Sequence, residues 1–329
     1  MSYSSARAKA ILMGVGASTG HARIGVPDRP IEIGKRYDTG SEKRMDVSLI
    51  QVPYMMGDER QGKGPLRLVQ AGAEKLVAAK GIAVNVERVD RDEPFRDSGN
   101  ASLVVGKKVA ATVRQTIEEG RLPFVLAGGC DISAGILSGF DHSHCGVVWF
   151  DAHGDFNTPE TTISGYLPGM CVAVISGQCY RSYWAQMGDS TPIPESAILM
   201  LGVRDLDPAE RERLDHSGIQ VVKWHEGKPQ SDMKTALDRL AQRVSEVYVH
   251  IDMDSLDPRI APGVLLAPVP AGMSLEHMEE SLRAVFARFH VKAATLAVYD
   301  PDHDQDDKTL RTALRLIEIV AEGARAQRN

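Results

Sequence analysis

The sequence predicts a three-layer αβα fold around a central, mostly parallel sheet of about eight strands. Three observations lead there. Short apolar runs alternate with stretches of helical period from Asp46 onward, and strands alternating with helices imply crossover units and a parallel sheet covered on both faces. The chain has 329 residues, 43% hydrophobic and 25% charged, which is apolar material enough for one large core. The motifs described below spread from Gly57 to Asp254, so dividing the chain would cut one site in half.

Residues 47–52 read as the first strand, and Leu66, Val69, Ala73 and Leu76 fall at helical spacing. Residues 82–86 read as a strand, then 103–117 as a helix whose start is signalled by Ser98 and Asn100. Strands follow at 124–126, 146–150, 197–201 and 220–222. A helix over 232–244 leads into a strand at 247–251, and a helix over 274–289 into a strand at 294–298; residues 309–324 form the last helix. Residues 45–329 therefore read as a single domain, and residues 1–44 as an extension ahead of it, partly ordered at best. Within that extension Arg7 and Lys9 precede a short apolar stretch at 10–15, as in a targeting peptide. Gly14 and Gly16 break the stretch and no small-residue cleavage site follows, so a plain lead-in is the better reading.

A formal net charge of −6 with interleaved acids and bases excludes a nucleic-acid footprint, which needs clustered Lys and Arg. No apolar run approaches the length of a membrane span. Four cysteines in so long a chain make no disulfide framework, which points to a reducing compartment, the cytoplasm.

The strongest local signal is Trp149-Phe150-Asp151-Ala152-His153-Gly154-Asp155. An apolar run enters it, and positions i, i+2 and i+4 of an extended chain project to one side. Asp151, His153 and Asp155 are therefore expected to converge. The same geometry recurs where the run ending at Ile251 delivers Asp252 and Asp254, with His250 on the same face. Burying adjacent carboxylates without compensation costs several kcal/mol each, roughly, and a cation resolves it. Oxygen-rich sites with one or two imidazoles favour Mn²⁺ or Mg²⁺. In open parallel sheets, sites gather outside the carboxyl ends of strands, where both motifs sit.

On these residues the chain resembles the ureohydrolases (arginase, agmatinase, formimidoylglutamase), and arginase most. The matching stretches are 57–62 with Gly64 and Pro65, Gly128-Gly129, Asp151 to Asp155, and Asp252-Met253-Asp254 with Asp257-Pro258. Asn157-Thr158-Pro159 with Thr161, Thr162, Ser164, Gly165 and Gly169 adds to them, as does Gly202 to Pro208 with Glu210. The resemblance implies two Mn²⁺ ions with a bridging hydroxide. Asp151 and Asp252 would bridge the ions, His153 and Asp254 would serve one, and Asp155 would serve the other and accept a hydrogen bond from the hydroxide. It also implies that Asn157, Thr162 and Ser164 bind a substrate α-carboxylate, that Asp207 and Glu210 hold an α-ammonium, and that the chain assembles as a trimer or hexamer. The last helix carries Arg311, Arg315, Arg325 and Arg328, which suit either an interface or a solvated face.

Three positions depart from the family pattern. The family's Gly-Gly-Asp-His becomes Gly128-Gly129-Cys130-Asp131, so Asp131 aligns with the histidine ligand; a shift of one residue would present the softer Cys130, and loss of that metal is a third outcome. Pro168 replaces a histidine that would shuttle protons, and proline has nothing to ionise. Val298 stands where arginase grips the guanidinium with a glutamate. Compensation is expected from the acidic loop beyond it: Asp300 as the carboxylate and His303 as the proton carrier, against a plain polar loop capping the last helix. The resulting expectation is a dinuclear Mn²⁺ hydrolase cleaving a C–N bond of a small, amino-acid-like molecule other than arginine. The alternative is a weak or silent homologue that binds or regulates, with one metal or none.

Overall fold

The computed structural model describes residues 45–327 except 93, 266 and 267; the expected extension over residues 1–44 lies outside the described residues. Strands β1 (Asp46–Val52), β2 (Val84–Arg88), β3 (Arg121–Ala127), β4 (Cys145–Phe150), β5 (Ile198–Leu201) and β6 (Gln220–Val222) come first. A small antiparallel ribbon, β7 (Trp224–His225) and β8 (Lys228–Pro229), separates them from β9 (Glu246–Asp252) and β10 (His290–Ala297). Eight of these form one sheet in the order β2-β1-β3-β10-β9-β4-β5-β6, with every neighbouring pair parallel. The central strands are mostly apolar because both faces are covered: Val147, Val148, Trp149 and Phe150 of β4 are all fully buried.

The helices are α1 (Lys63–Gln70), α2 (Ala73–Ala79), α3 (Ser98–Glu118), α4 (Ser133–Leu137), α5 (Cys171–Ile175), α6 (Arg181–Trp184), α7 (Pro208–Asp215), α8 (Met233–Ala241), α9 (Leu275–Arg288) and α10 (Lys308–Ala326). They pack as two sets, α1, α2, α8, α9 and α10 against one another and α3 to α6 likewise, which gives the three layers. Side-chain caps start α3, α8 and α9: Asp97 accepts from Asn100 N, Asp232 from Lys234 N and Thr235 N, and Ser274 from His277 N. The helical spacing from Leu66 to Leu76 belongs to two helices, because Gly72 at φ 98° breaks the run. Helix α3 begins at Ser98, five residues before the expected start, with Asp97 as its cap. No helix among the described residues is long and apolar enough to cross a membrane.

What this arrangement provides is four adjacent strands, β3, β10, β9 and β4, whose carboxyl ends open onto one place. Close approach there requires glycine. A Cβ on Gly128, just past β3, would lie 2.4 Å from the Tyr54 carbonyl oxygen, and one on Gly154 would lie 2.7 Å from Glu210 Oε1.

Candidate metal centre

The chain leaving β4 carries Asp151, and Trp149 Nε1 donates to its Oδ2 at 3.0 Å from two residues earlier on the same face. Its Oδ1 accepts the backbone N–H of His153 at 2.7 Å. The His153 ring then stands with Nδ1 3.0 Å from Asp254 Oδ2 and 3.3 Å from Asp151 Oδ1. From β9, Asp252 Oδ1 accepts Asp254 N at 2.8 Å, and Asp254 Oδ1 accepts Ala152 N at 3.1 Å, tying the two strand ends together. The Arg204 guanidinium holds the loop after β9 by its carbonyls, donating to Asp254 O at 2.7 Å and to Ser255 O and Leu256 O at 3.2 Å. Asp155 sits at φ 47°, a strained setting for a non-glycine residue, with its carbonyl accepting Val172 N at 2.8 Å at the start of α5.

Two donor groups result, each with its ligand atoms within 4.8 Å of one another. The outer group is Asp151, His153 and Asp254; the inner is Cys130, Asp151, His250 and Asp252. Asp151 belongs to both. All these carboxylates are buried, as is Asp155, which lies in neither group. Burial, and then the neighbouring Asp254, pushes Asp151 up to about 6. Burial and the other carboxylates push Asp155 and Asp252 well above the carboxylate range. Burial also opposes ionisation of Asp254, but His153 and the Ala152 N–H outweigh it and hold the group at about 2. For His153 burial opposes the cation, yet Asp254 and Asp151 prevail and raise its pKa far above the ordinary value. Buried acids that resist ionisation want a cation. Among the buried side-chain atoms with no hydrogen-bond partner are Asp155 Oδ2 and His250 Nε2, and also Asp131 Oδ1. The donor set therefore fits divalent metal.

Cys130, Asp151, His153, Asp155, Asp252 and Asp254 floor a cavity of about 180 Å³, room for a small molecule, and His250 lies buried outside its lining. Of the expected recognition residues, Asn157, Ser164, Asp207 and Glu210 line it, with Asn157 Nδ2 donating to Asp207 Oδ2 at 3.1 Å. Thr162 does not line it; its Oγ1 accepts Gly165 N at 3.0 Å, shaping the turn that presents Ser164. Pro168 and Val298 also line it, as wall. Met55 and Tyr166 also line the cavity and were not expected from sequence, since they come from loops with no periodic signal; Asp205 and Leu206, within the family-matching stretch, line it too.

Three expectations need correction. Asp131 is not brought to the donor groups. A 3-10 turn over Cys130–Ile132 rotates it towards α3, where its Oδ2 accepts from Ser102 Oγ at 2.6 Å and Met56 N at 3.2 Å. Cys130 faces the cavity instead, its Sγ donating to Asp252 Oδ2 at 3.1 Å. Asp300 and His303 do not line the cavity: the His303 ring is 67% exposed and turns back onto Asp300. The acidic loop serves α10, with Asp304 accepting Thr309 N and Leu310 N at 2.9 Å each.

Parallel sheet, acidic strand ends and a small adjoining cavity together define an α/β protein whose donor set fits divalent metal. A model of the arginase family matches residues 45–321. The chain belongs to that family. It is 31% identical over 289 residues to the arginase of Bacillus subtilis, covering 83% of this chain and 97% of that one. The crystal structure of Bacillus subtilis arginase superposes with a TM-score of 0.76 at 30% identity, over 84% of this chain and 98% of the other. The proclavaminate amidino hydrolase of Streptomyces clavuligerus shares the fold, with a TM-score of 0.63 at 20% identity, over 87% of this chain and 94% of that one.

Proposed function

We propose that this protein is a metal-dependent hydrolase that cleaves the C–N bond of an amidine, guanidine or amide-type group on a small amino-acid-like molecule, and that arginine is not its preferred substrate. The observation that carries this reading is one cavity with a floor of metal donors and an apolar wall, Met55, Pro168 and Val298, where a guanidinium would need a partner. Two divalent cations would be held at the floor, Mn²⁺ being the metal the family resemblance implies; Asp151, His153 and Asp254, an imidazole with two carboxylates, suit it in the outer position. When bound, such cations polarise the scissile group and acidify water near neutral pH.

The chain's own residues do the rest. Asn157 and Ser164 orient the substrate carboxylate, while Asp207, with Glu210 behind it, holds the ammonium. Asp155 keeps Oδ2 free of protein partners, so it can take a proton at the floor and return it to the departing nitrogen. Pro168 leaves that task to Asp155. Substrate is a small molecule on this reading, and the protein works in the cytoplasm as a homo-oligomer.

The test is a panel of guanidino, amidino, ureido and amide amino acids, assayed for released ammonia, amine or urea with Mn²⁺ supplied. A member turned over better than arginine is expected, with Asp155→Asn reducing its rate on the order of 10²- to 10⁴-fold. Arginine as the best substrate would refute the specificity claim. No turnover of any member, with metal bound, would leave a binding protein in its place.

A further inference from the structure

The two donor groups at the floor differ in chemistry. The outer one is an imidazole between two carboxylates, His153 Nδ1 lying 3.0 Å from Asp254 and 3.3 Å from Asp151. The inner one contains a thiol and a second imidazole. Strand register pairs Trp149 of β4 with His250 of β9, and their rings stack at 3.7 Å and 11°. His250 is fully buried. Its Nδ1 is fixed 3.0 Å from the Tyr248 hydroxyl, which lies 2.8 Å from Thr295 Oγ1. Its Nε2 has no partner. An imidazole oriented through one nitrogen by a hydrogen-bonded chain, with the other left bare, is the arrangement a metal-ligating histidine adopts. Cys130 Sγ meets Asp252 in the same group, and the 3-10 turn that brings it there is what turns Asp131 away.

We propose that Cys130, His250, Asp151 and Asp252 form an inner metal position that takes zinc in preference to manganese, so that the protein carries two unlike metals sharing Asp151. Two of the four donors, thiolate and imidazole, are those that select zinc, and four is the coordination number zinc adopts. Manganese, a harder ion, is better served by the outer group. On this assignment His250, from β9, supplies the imidazole that Asp131 does not. The proposal deepens the hydrolase reading and rests only on its claim that the floor binds metal.

The test uses the full-length protein, stripped with chelator and titrated with Co²⁺, which reports thiolate coordination by a ligand-to-metal charge-transfer band in the near ultraviolet. The band is expected in the wild-type protein, retained in Asp254→Asn and lost in Cys130→Ser. His250→Gln should bind one metal fewer per chain by elemental analysis. Any site of this kind prefers zinc to manganese to some degree, so the decisive ratio is relative. In competition between Zn²⁺ and Mn²⁺, Cys130→Ser should lower zinc occupancy over manganese at one position by roughly tenfold or more. Two bound cobalt ions with no band in the wild type, or a band that survives Cys130→Ser, would overturn the proposal. Turnover is followed in parallel: turnover without a band removes this assignment and leaves the hydrolase, whereas a band with no turnover of any substrate does the reverse.

Discussion

The floor and the wall of the cavity obey different constraints. At the floor, Asp151, Asp252 and Asp254 come from the ends of two hydrogen-bonded strands, and each carboxylate accepts a bond from a neighbouring backbone N–H or indole. Moving any one of them means moving the sheet. At the wall, Met55, Pro168 and Val298 come from three separate segments outside the sheet and long helices and make no polar contact through their side chains. The floor is therefore resistant to change and the wall is open to it, and loops on a rigid scaffold are where specificity is free to vary. Here the floor carries buried acids, while Met55, Pro168 and Val298 at the wall offer no group that could pair with a guanidinium.

The sharpest way to break this comparison is Val298→Glu. Val298 sits at φ 71°, a setting that disfavours β-branched residues, so glutamate adds no backbone strain there. A charge-assisted hydrogen bond to a guanidinium contributes about 1.5 to 3 kcal/mol, so arginine turnover should rise roughly 10- to 100-fold. Turnover of the preferred substrate should fall. Steady-state kinetics on both substrates decides it; if arginine gains nothing while the fold survives, the wall is not what sets the specificity.

How much of this was readable beforehand follows from where each residue sits. The sheet was legible because β4 is a continuous apolar run and β9 and β10 are mostly apolar ones. Asp151, His153, Asp252 and Asp254 were expected together because they close such runs; His250 was read as lying on the face of Asp252, beside the ligands and not as one of them. Asp155 was expected from strand alternation, yet the chain has left the strand by then and a left-handed residue places it. The choice between Cys130 and Asp131 was not legible. In a 3-10 turn successive residues point about 120° apart, so only the local backbone decides which one faces the cavity. Helices α4 and α5 were missed because every residue in them is buried, which erases the amphipathic period.

A smaller effect belongs to the rim, between floor and wall. Glu210, in the first turn of α7, accepts Phe156 N at 2.8 Å, and burial pushes its pKa up to about 7 from the ordinary 4.5. A carboxyl whose folded value is raised is protonated more readily in the folded protein. Its stabilisation is complete below 4.5 and is lost as pH rises through 7. Glutamine can keep the bond to Phe156 without ionising. Glu210→Gln should therefore stabilise the protein by roughly 1 to 3 kcal/mol at pH 8, with the gain shrinking towards pH 5. Urea midpoints across that range measure it. A gain of equal size at both ends would mean that ionisation of Glu210 is not the cause.

The smallest effect expected is that of His303→Ala, and its smallness is informative. The ring lies mostly in solvent, its contact is with Asp300, and the loop it belongs to starts α10 through Asp304. Removing an exposed side chain of this kind changes stability by less than about 0.5 kcal/mol. If proton transfer is the work of Asp155, kcat/KM should stay within about twofold of wild type across the pH profile, far short of the 10²- to 10⁴-fold loss that follows removal of a general acid or base. A loss of that larger size, with the alkaline or acid limb of the profile displaced, would mean that the acidic loop closes over the cavity during turnover. The division between a fixed floor and an inert, apolar wall would then fail at the wall.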